Sequence, residues 1–317
     1  LWLLGKIRQA VYIPSLLLFK LPAMVVDLVT GYLIFKIVSK LKNEKTGIIF
    51  SSLYIFNPAV LANSTFWGQI DSLVALFSVL TLYFVTSKPL ISALFLSIGT
   101  LVKPQVAFLS PVILFLLLDK KVEYKKIISY ILLAMAVFVI GFYPLFPGEG
   151  NFINFIFQRL SVTSGQYPFT SVNAFNFWGI SALWKSDIRP FPFFTIGVLL
   201  FFASTAFTFL KTKKKTEHKY FLGAAVLLSS YIFLTRMHER HLLPALPLIL
   251  ISASKLPNLL YLYFFLSFSY LLNLCHSFVW ITKEFKQVLP EYLIKILSFL
   301  NTTTLALLLK EGKKKSS

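Results

Sequence analysis

The residues of this chain best equipped for chemistry gather in short polar clusters between long apolar runs. One cluster, Thr235-Arg236-Met237-His238-Glu239-Arg240-His241, holds five ionisable side chains among seven residues and lies between Leu234 and Leu242. If it is helical, Arg236, Glu239 and Arg240 share a face at spacings of three and four. Glu239 then holds both guanidinium groups while they present donors outward, an arrangement suited to a phosphate or a carboxylate. The same cluster read blandly is a solvated connection. His238 and His241 are three apart, but no further His or carboxylate is spaced to complete a metal site, so no metal is expected. A divalent ion assisting a phosphate is compatible with these residues but not demanded by them.

A second cluster runs through Asn57-Pro58, Asn63 and Trp67-Gly68-Gln69-Ile70-Asp71-Ser72. Pro and Gly break the helices there, and Asp71 falls at a helix start. Two roles remain open for it: capping the helix by accepting backbone N–H bonds, or facing a cavity as a general base or an acceptor of sugar hydroxyls. Trp67 is equally double, because Trp favours membrane interfaces and also stacks on sugars. Lys20 and Asp27 are seven apart and share a helix face, so Lys20 is the expected partner of a carboxylate that is costly to leave alone in a membrane. Lys103-Pro104-Gln105 places an ammonium at a helix break, where a lipid phosphate could sit. Tyr167 to Trp178, including Asn173 and Asn176, is too polar and aromatic to span, and is expected to roof a cavity. Asn63-Ser64-Thr65 also fits a glycosylation acceptor.

The elements that must position these clusters are membrane helices. Of the 317 residues, 57% are hydrophobic and 14% charged, with a mean hydropathy of +0.76. At about 20 apolar residues per crossing, that is material for roughly nine or ten spans. This composition excludes an ordinary soluble enzyme, a disordered chain and a disulfide scaffold, and the single cysteine, Cys275, excludes an internal disulfide. Long apolar runs without period-two alternation exclude a barrel. The fold class is therefore all-α: a polytopic transmembrane helix bundle of about ten membrane segments, including a short helical hairpin over Leu90 to Leu118.

The net charge of +19, from 31 Lys plus Arg against 12 Asp plus Glu, has a topological reading. Lys-rich connections (40–45, 88, 119–126, 211–219, 255 and from 310) alternate with aromatic, polar ones (63–71, 146–189, 235–241 and 282–291). Assigning the first kind to the cytoplasm gives every span the right parity. Nucleic acid is not an expected partner. The chain reads as one membrane domain, 1–317, with 1–19 the remnant of an outer loop, 146–189 an outer interfacial segment and 310–317 a basic cytoplasmic tail. All five arginines fall in the outer segments or at their edge. Such placement is expected where bidentate donors meet an anion.

The order Lys20-x-Pro22 with Asp27, Asn57-Pro58, Trp67-Gly68-Gln69-Ile70-Asp71-Ser72, Lys103-Pro104-Gln105, Tyr167-Pro168 with Ser171 to Trp178, and Met237-His238-Glu239-Arg240 resembles prokaryotic membrane mannosyltransferases related to the second mannosyltransferase of GPI-anchor synthesis, in the GT-C superfamily. The resemblance implies a GT-C-like bundle in a prokaryotic cell membrane, or in the endoplasmic reticulum of a eukaryote. It also implies inverting transfer of a hexose, mannose foremost, from a polyprenyl-phosphate sugar to a hydroxyl of a lipid or glycan acceptor on the extracytoplasmic side. On this reading Asp71, His238 and Glu239 are catalytic, and Arg236, Arg240, Lys103, Gln69, Trp67, Asn173, Asn176, Lys20 and Asp27 bind substrate, with no cofactor. Proteins of this superfamily are expected to carry a further span and a large acidic outer loop ahead of the position of Leu1, which would leave Asp71 a supporting role. The alternative class is a transporter or flippase for a lipid-linked or anionic solute. It is disfavoured because the polar motifs concentrate at one face and no repeat relates two halves.

Overall fold

The computed structural model of the chain describes residues 14–312 except 182, 190 and 213–217. Most of the expected outer remnant, the Lys-rich connection near 215 and the end of the basic tail lie outside the described residues. The described chain is helical almost throughout. In order come α1 (Ser15–Leu41), α2 (Glu44–Ile55), α3 (Pro58–Leu61), a π-helical stretch (Ala62–Trp67), α4 (Asp71–Phe84), α5 (Pro89–Val102), a 3-10 turn (Pro104–Leu109), α6 (Ser110–Asp119), α7 (Tyr124–Ile140) and α8 (Phe152–Gly165). Then follow β1 (Ser171–Val172), α9 (Phe193–Lys211), α10 (Lys219–Phe233), β2 (Met237–His238), a 3-10 turn (Glu239–Leu242), α11 (Ala245–Ala253), α12 (Leu259–Thr282) and α13 (Glu291–Glu311).

The all-α expectation holds, but the count of ten segments is not confirmed. Among the described residues five helices are long and apolar enough to cross a membrane, or six if the pair Glu44–Ile55 and Pro58–Trp67, bent by 42°, is one span. Among the remainder, α10 and α11 are short helices inside the bundle. In α10 every residue from Tyr220 to Ile232 is buried, and the helix packs against α4, α6, α9, α11 and α13. All nine residues of α11 are buried as well. A helix enclosed by protein can stop wherever its partners satisfy its ends, so hydropathy alone counts such segments poorly.

Local chemistry sets the breaks. Asn57 caps α3 by accepting from Ala59 N–H at 2.9 Å, while its amide donates to Tyr263 and Ser267 hydroxyls on α12, both at 2.8 Å. Gly68, at φ +78°, ends the π-helical stretch in the left-handed region that suits glycine. Lys88 and Pro89 open α5 and Pro104 ends it, so the expected break at Lys103-Pro104 is present.

The two-residue strands β1 and β2 pair in parallel, Ser171 with Met237 and Val172 with His238. The segment expected to roof a cavity therefore runs into the bundle, where Thr170 to Asn176 are buried. Polar side chains from apolar helices draw it in: Asn273 donates to Asn173 O at 2.6 Å and accepts from Phe175 N–H at 3.0 Å, and Asn301 donates to Phe175 O at 2.7 Å.

One further tie is ionic. Asp187, fully buried, accepts from Thr235 Oγ1 at 2.8 Å and from Arg236 Nε at 2.7 Å. Arg236 keeps 20% of its side-chain surface exposed, so breaking the pair is expected to cost about 3 kcal/mol, the low end for a buried ion pair. Asp187→Asn should lower the thermal midpoint of the purified protein well beyond Thr235→Ala; equal midpoints would assign the segment's stability to the amide ties instead.

Candidate functional site

The structure brings Asp71, Lys103, Glu239 and Arg240 together from three separate elements. Asp71 is the first residue of α4, Lys103 ends α5 at its break, and Glu239 and Arg240 belong to the 3-10 turn after β2. Lys103 Nζ donates to both Asp71 oxygens at 2.8 and 2.9 Å. Arg240 Nε stands 3.8 Å from Asp71 Oδ2, and the other end of its guanidinium donates to Glu239 Oε1 at 2.9 Å. Asp71 thus spends its carboxylate on side-chain cations rather than on capping α4.

The layering of the four charges matters most. The side chains of Asp71 and Glu239 are 1% and 3% exposed, against 18% for Lys103 and 22% for Arg240. Carboxylates lie behind and cations in front, so the site shows positive charge to whatever approaches. Burial pushes the Lys103 ammonium below its ordinary value, with Arg240 adding to that and Asp71 opposing it. Burial raises Glu239, against the pull of Arg240.

The two histidines adjoin this cluster as neutral groups. His241 Nδ1 accepts from His238 N–H at 3.2 Å, and its Nε2 meets the Gln105 amide at 2.8 Å. His238 packs edge-on against Tyr167, ring centroids 4.9 Å apart. Burial, then the charges of Arg240 and Lys103, push His238 down to about 3. His241 is driven well below the usual imidazole range by burial first and by Lys103, His238 and Arg240 after it. Both shifts favour the neutral imidazole in the ligand-free chain. No group of three or more metal-ligating side chains occurs among the described residues.

Other sequence-selected residues take different places. Arg236 is not held by Glu239: its backbone is left-handed, φ +65°, and its side chain turns to Asp187 and lies over the Phe194 ring at 4.7 Å. A strand and a 3-10 turn replace the continuous helix that would have aligned it with Glu239. Lys20 donates to Phe66 O at 2.7 Å rather than pairing with Asp27. Asp27 is buried and accepts from Tyr54 OH at 3.3 Å. Asn63 is fully buried and accepts from Tyr270 OH at 3.0 Å, which leaves its amide inaccessible as a glycosylation acceptor in the folded chain.

Asn176, also fully buried, donates to Tyr231 O at 3.1 Å and accepts from Gly179 N–H at 3.3 Å. Asn173 accepts from Trp184 Nε1 at 2.7 Å. Both amides are engaged within the fold. Gln69 is half-buried, and its N–H closes onto Asn63 O at 2.9 Å. Trp67 packs edge-on to Phe278 at 5.5 Å and lines an apolar groove of about 480 Å³ with Leu61, Phe66, Leu274 and Cys275. Sequence reasoning passed over Asp187, Asn273 and Asn301; the signal available was an acid or an amide standing alone in an apolar or basic stretch.

The charge of His238 gives a test. Between about pH 3 and 6.5 the unfolded chain takes up a proton at this position and the folded chain does not, so stability falls as pH is lowered through that window. The thermal midpoint should drop between pH 7 and 5, and drop less in His238→Gln. An unchanged drop in the variant would place the acid sensitivity elsewhere.

Comparison with known proteins gives two matches. Residues 3–146 match the family described as dolichyl-phosphate-mannose-protein mannosyltransferase. A stretch of 146 residues is 28% identical to GPI mannosyltransferase 1 of Candida albicans, covering 41% of this chain and 36% of that relative's length. The matched family region contains Asp71 and Lys103, while Glu239 and Arg240 lie beyond it.

Proposed function

We propose that this chain, a GT-C mannosyltransferase-like membrane protein, transfers a mannosyl group from a polyprenyl-phosphate donor to an acceptor hydroxyl on the extracytoplasmic side, with inversion at the anomeric carbon. The observation that carries the reading is the layered cluster in which buried Asp71 is covered by two cations that reach the surface, Lys103 and Arg240. The leaving group of such a donor is a lipid phosphate, whose negative charge grows as the glycosidic bond breaks. Cations fixed in a partly desolvated site stabilise that charge more in the transition state than before it.

The same geometry supplies a sequence of events. When the donor phosphate binds, Lys103 and Arg240 turn to its oxygens and release the Asp71 carboxylate. Asp71 then accepts the proton of the attacking hydroxyl, so the pair forms a base that is uncovered only when the donor is present. His238 and His241, neutral and tied to neighbouring groups, offer polar contacts without competing for the proton. The apolar groove beside Trp67 lies along the chain leading to Asp71 and suits the isoprenoid tail. Gly68 fits there through its left-handed φ of +78°, and a Cβ would also stand 3.2 Å from Lys20 Cγ.

Placement of the site outside the cytoplasm agrees with the far end of the same helices. Lys219 donates to Tyr83 O at 3.0 Å and Thr86 Oγ1 at 3.2 Å, at the opposite end of α4 from Asp71. Lys40 and Lys120 act on it electrostatically. The lysines therefore converge at the end away from the site, as the positive-inside rule asks.

Transfer from polyprenyl-phosphate mannose by the purified protein should fall about 10²- to 10³-fold in Arg240→Ala, the scale for losing one fixed donor to a developing anion. It should also fall sharply in Asp71→Asn, and wild-type rates in both variants would overturn the site. In a Cys275→Ser background, a cysteine at Gln69 should react with an impermeant reagent from outside, and one at Lys120 only after the membrane is opened. The reverse pattern would invert the orientation.

A further inference from the structure

Asn173, whose backbone bridges to His238, also lines a second cavity of about 260 Å³ together with Trp184, His276, Trp280, Gln287 and Lys295. That volume lies just below the range of about 300 to 1,000 Å³ usual for drug-sized ligands, and so suits a single small ring. Its polar groups differ from those of the charged cluster. His276 accepts from Leu289 N–H through Nδ1 at 3.3 Å, which leaves its proton on Nε2 as a fixed donor. Lys295 is paired with Glu291 at 2.6 Å, so the two charges cancel. Gln287 donates to Leu289 O at 2.8 Å and keeps its carbonyl as an acceptor. A lining of mixed donors and acceptors with no net charge fits a neutral polyol rather than a phosphate.

The aromatic wall points the same way. Trp184 and Trp280 stack with centroids 5.2 Å apart and planes at 23°, while Phe169 and Phe285 pack edge-on against the pair at 5.2 and 4.7 Å. With rings packed on the pair, a ligand meets indole edges, whose partial positive charge favours hydroxyl oxygens. The wall is held in a costly conformation. Asn173 and Trp184 both have left-handed backbones, φ +61° and +59°, which side chains other than glycine adopt only under local constraint. Trp184 is fixed there by its N–H to Ser171 O at 2.9 Å and its Nε1–H to Asn173 Oδ1 at 2.7 Å.

We infer that this cavity binds a hexose ring of the acceptor, a neutral glycan, next to the cluster that handles the donor phosphate; its acceptor role rests on the transfer reaction proposed above. The test is saturation-transfer NMR on the purified protein in detergent, without donor, using methyl α-mannoside and, in parallel, glycerophosphocholine. Saturable transfer to the mannoside is expected, weakened at least five-fold in Gln287→Ala and in Lys295→Met. Gln287 is exposed, so its variant should keep the wild-type thermal midpoint. No saturable mannoside signal, an undiminished signal in both variants, or a response to glycerophosphocholine alone, which would mark a lipid headgroup pocket, would each overturn the inference. Mannoside binding without mannosyl transfer would count against the reaction and leave the pocket standing; transfer without mannoside binding would count against the pocket.

Discussion

The pairing of Lys103 with a carboxylate that has almost no contact with solvent is the constraint around which the candidate site is organised. A charge buried there without partners would cost several kcal/mol, and Lys103 and Arg240 supply them. Its partners come from the break in α5 and from the turn after β2, so three stretches far apart in sequence must meet at one point. The short central helices satisfy that demand by being enclosed on all sides, which lets their ends stop inside the bundle where the charges are.

Around this point the polar interior sorts into two kinds of work. Asn57, Asn176, Asn273 and Asn301 spend their amides on backbone groups and hydroxyls at helix breaks and in the Ser171 to Phe177 segment, and Asp187 spends its charge on Arg236. These contacts hold irregular backbone inside an apolar bundle, where an unsatisfied N–H or C=O would be expensive. Lys103 and Arg240 differ from these amides in keeping part of their surface open, as Arg236 also does. What sets them apart from Arg236 is that both face the one carboxylate, Asp71.

Much of this was legible in the amino-acid order. Apolar runs gave the helices, Pro and Gly gave the breaks at Pro58, Gly68 and Pro104, and the order of short motifs picked out Asp71, Lys103, Glu239 and Arg240 among others, four that the structure brings together. Arg236 was misplaced because three- and four-residue spacing implies a shared face only if the segment is helical. Its left-handed backbone leads into β2, whose residues pair with Ser171 and Val172, 66 residues away, a contact that no local pattern encodes. Asp27 and Lys20 were paired by the same reasoning, yet the hydroxyl of Tyr54 and the carbonyl of Phe66 lie nearer. The count of about ten crossings is not confirmed, since hydropathy does not distinguish a helix facing lipid from one facing protein.

The brevity of the helices beneath the site has a geometric consequence. α11 has nine residues and α4 fourteen, which at 1.5 Å per residue gives rises of about 13.5 and 21 Å, against a hydrocarbon thickness of about 30 Å. If Ala253 and Phe84, at their far ends, mark one membrane surface, Asp71 and Ala245 stand short of the other. The charged cluster then lies at the depth of the upper acyl chains, in a recess below the headgroups. A lipid-borne phosphate would have to sink to reach it, and a soluble one would have little reason to.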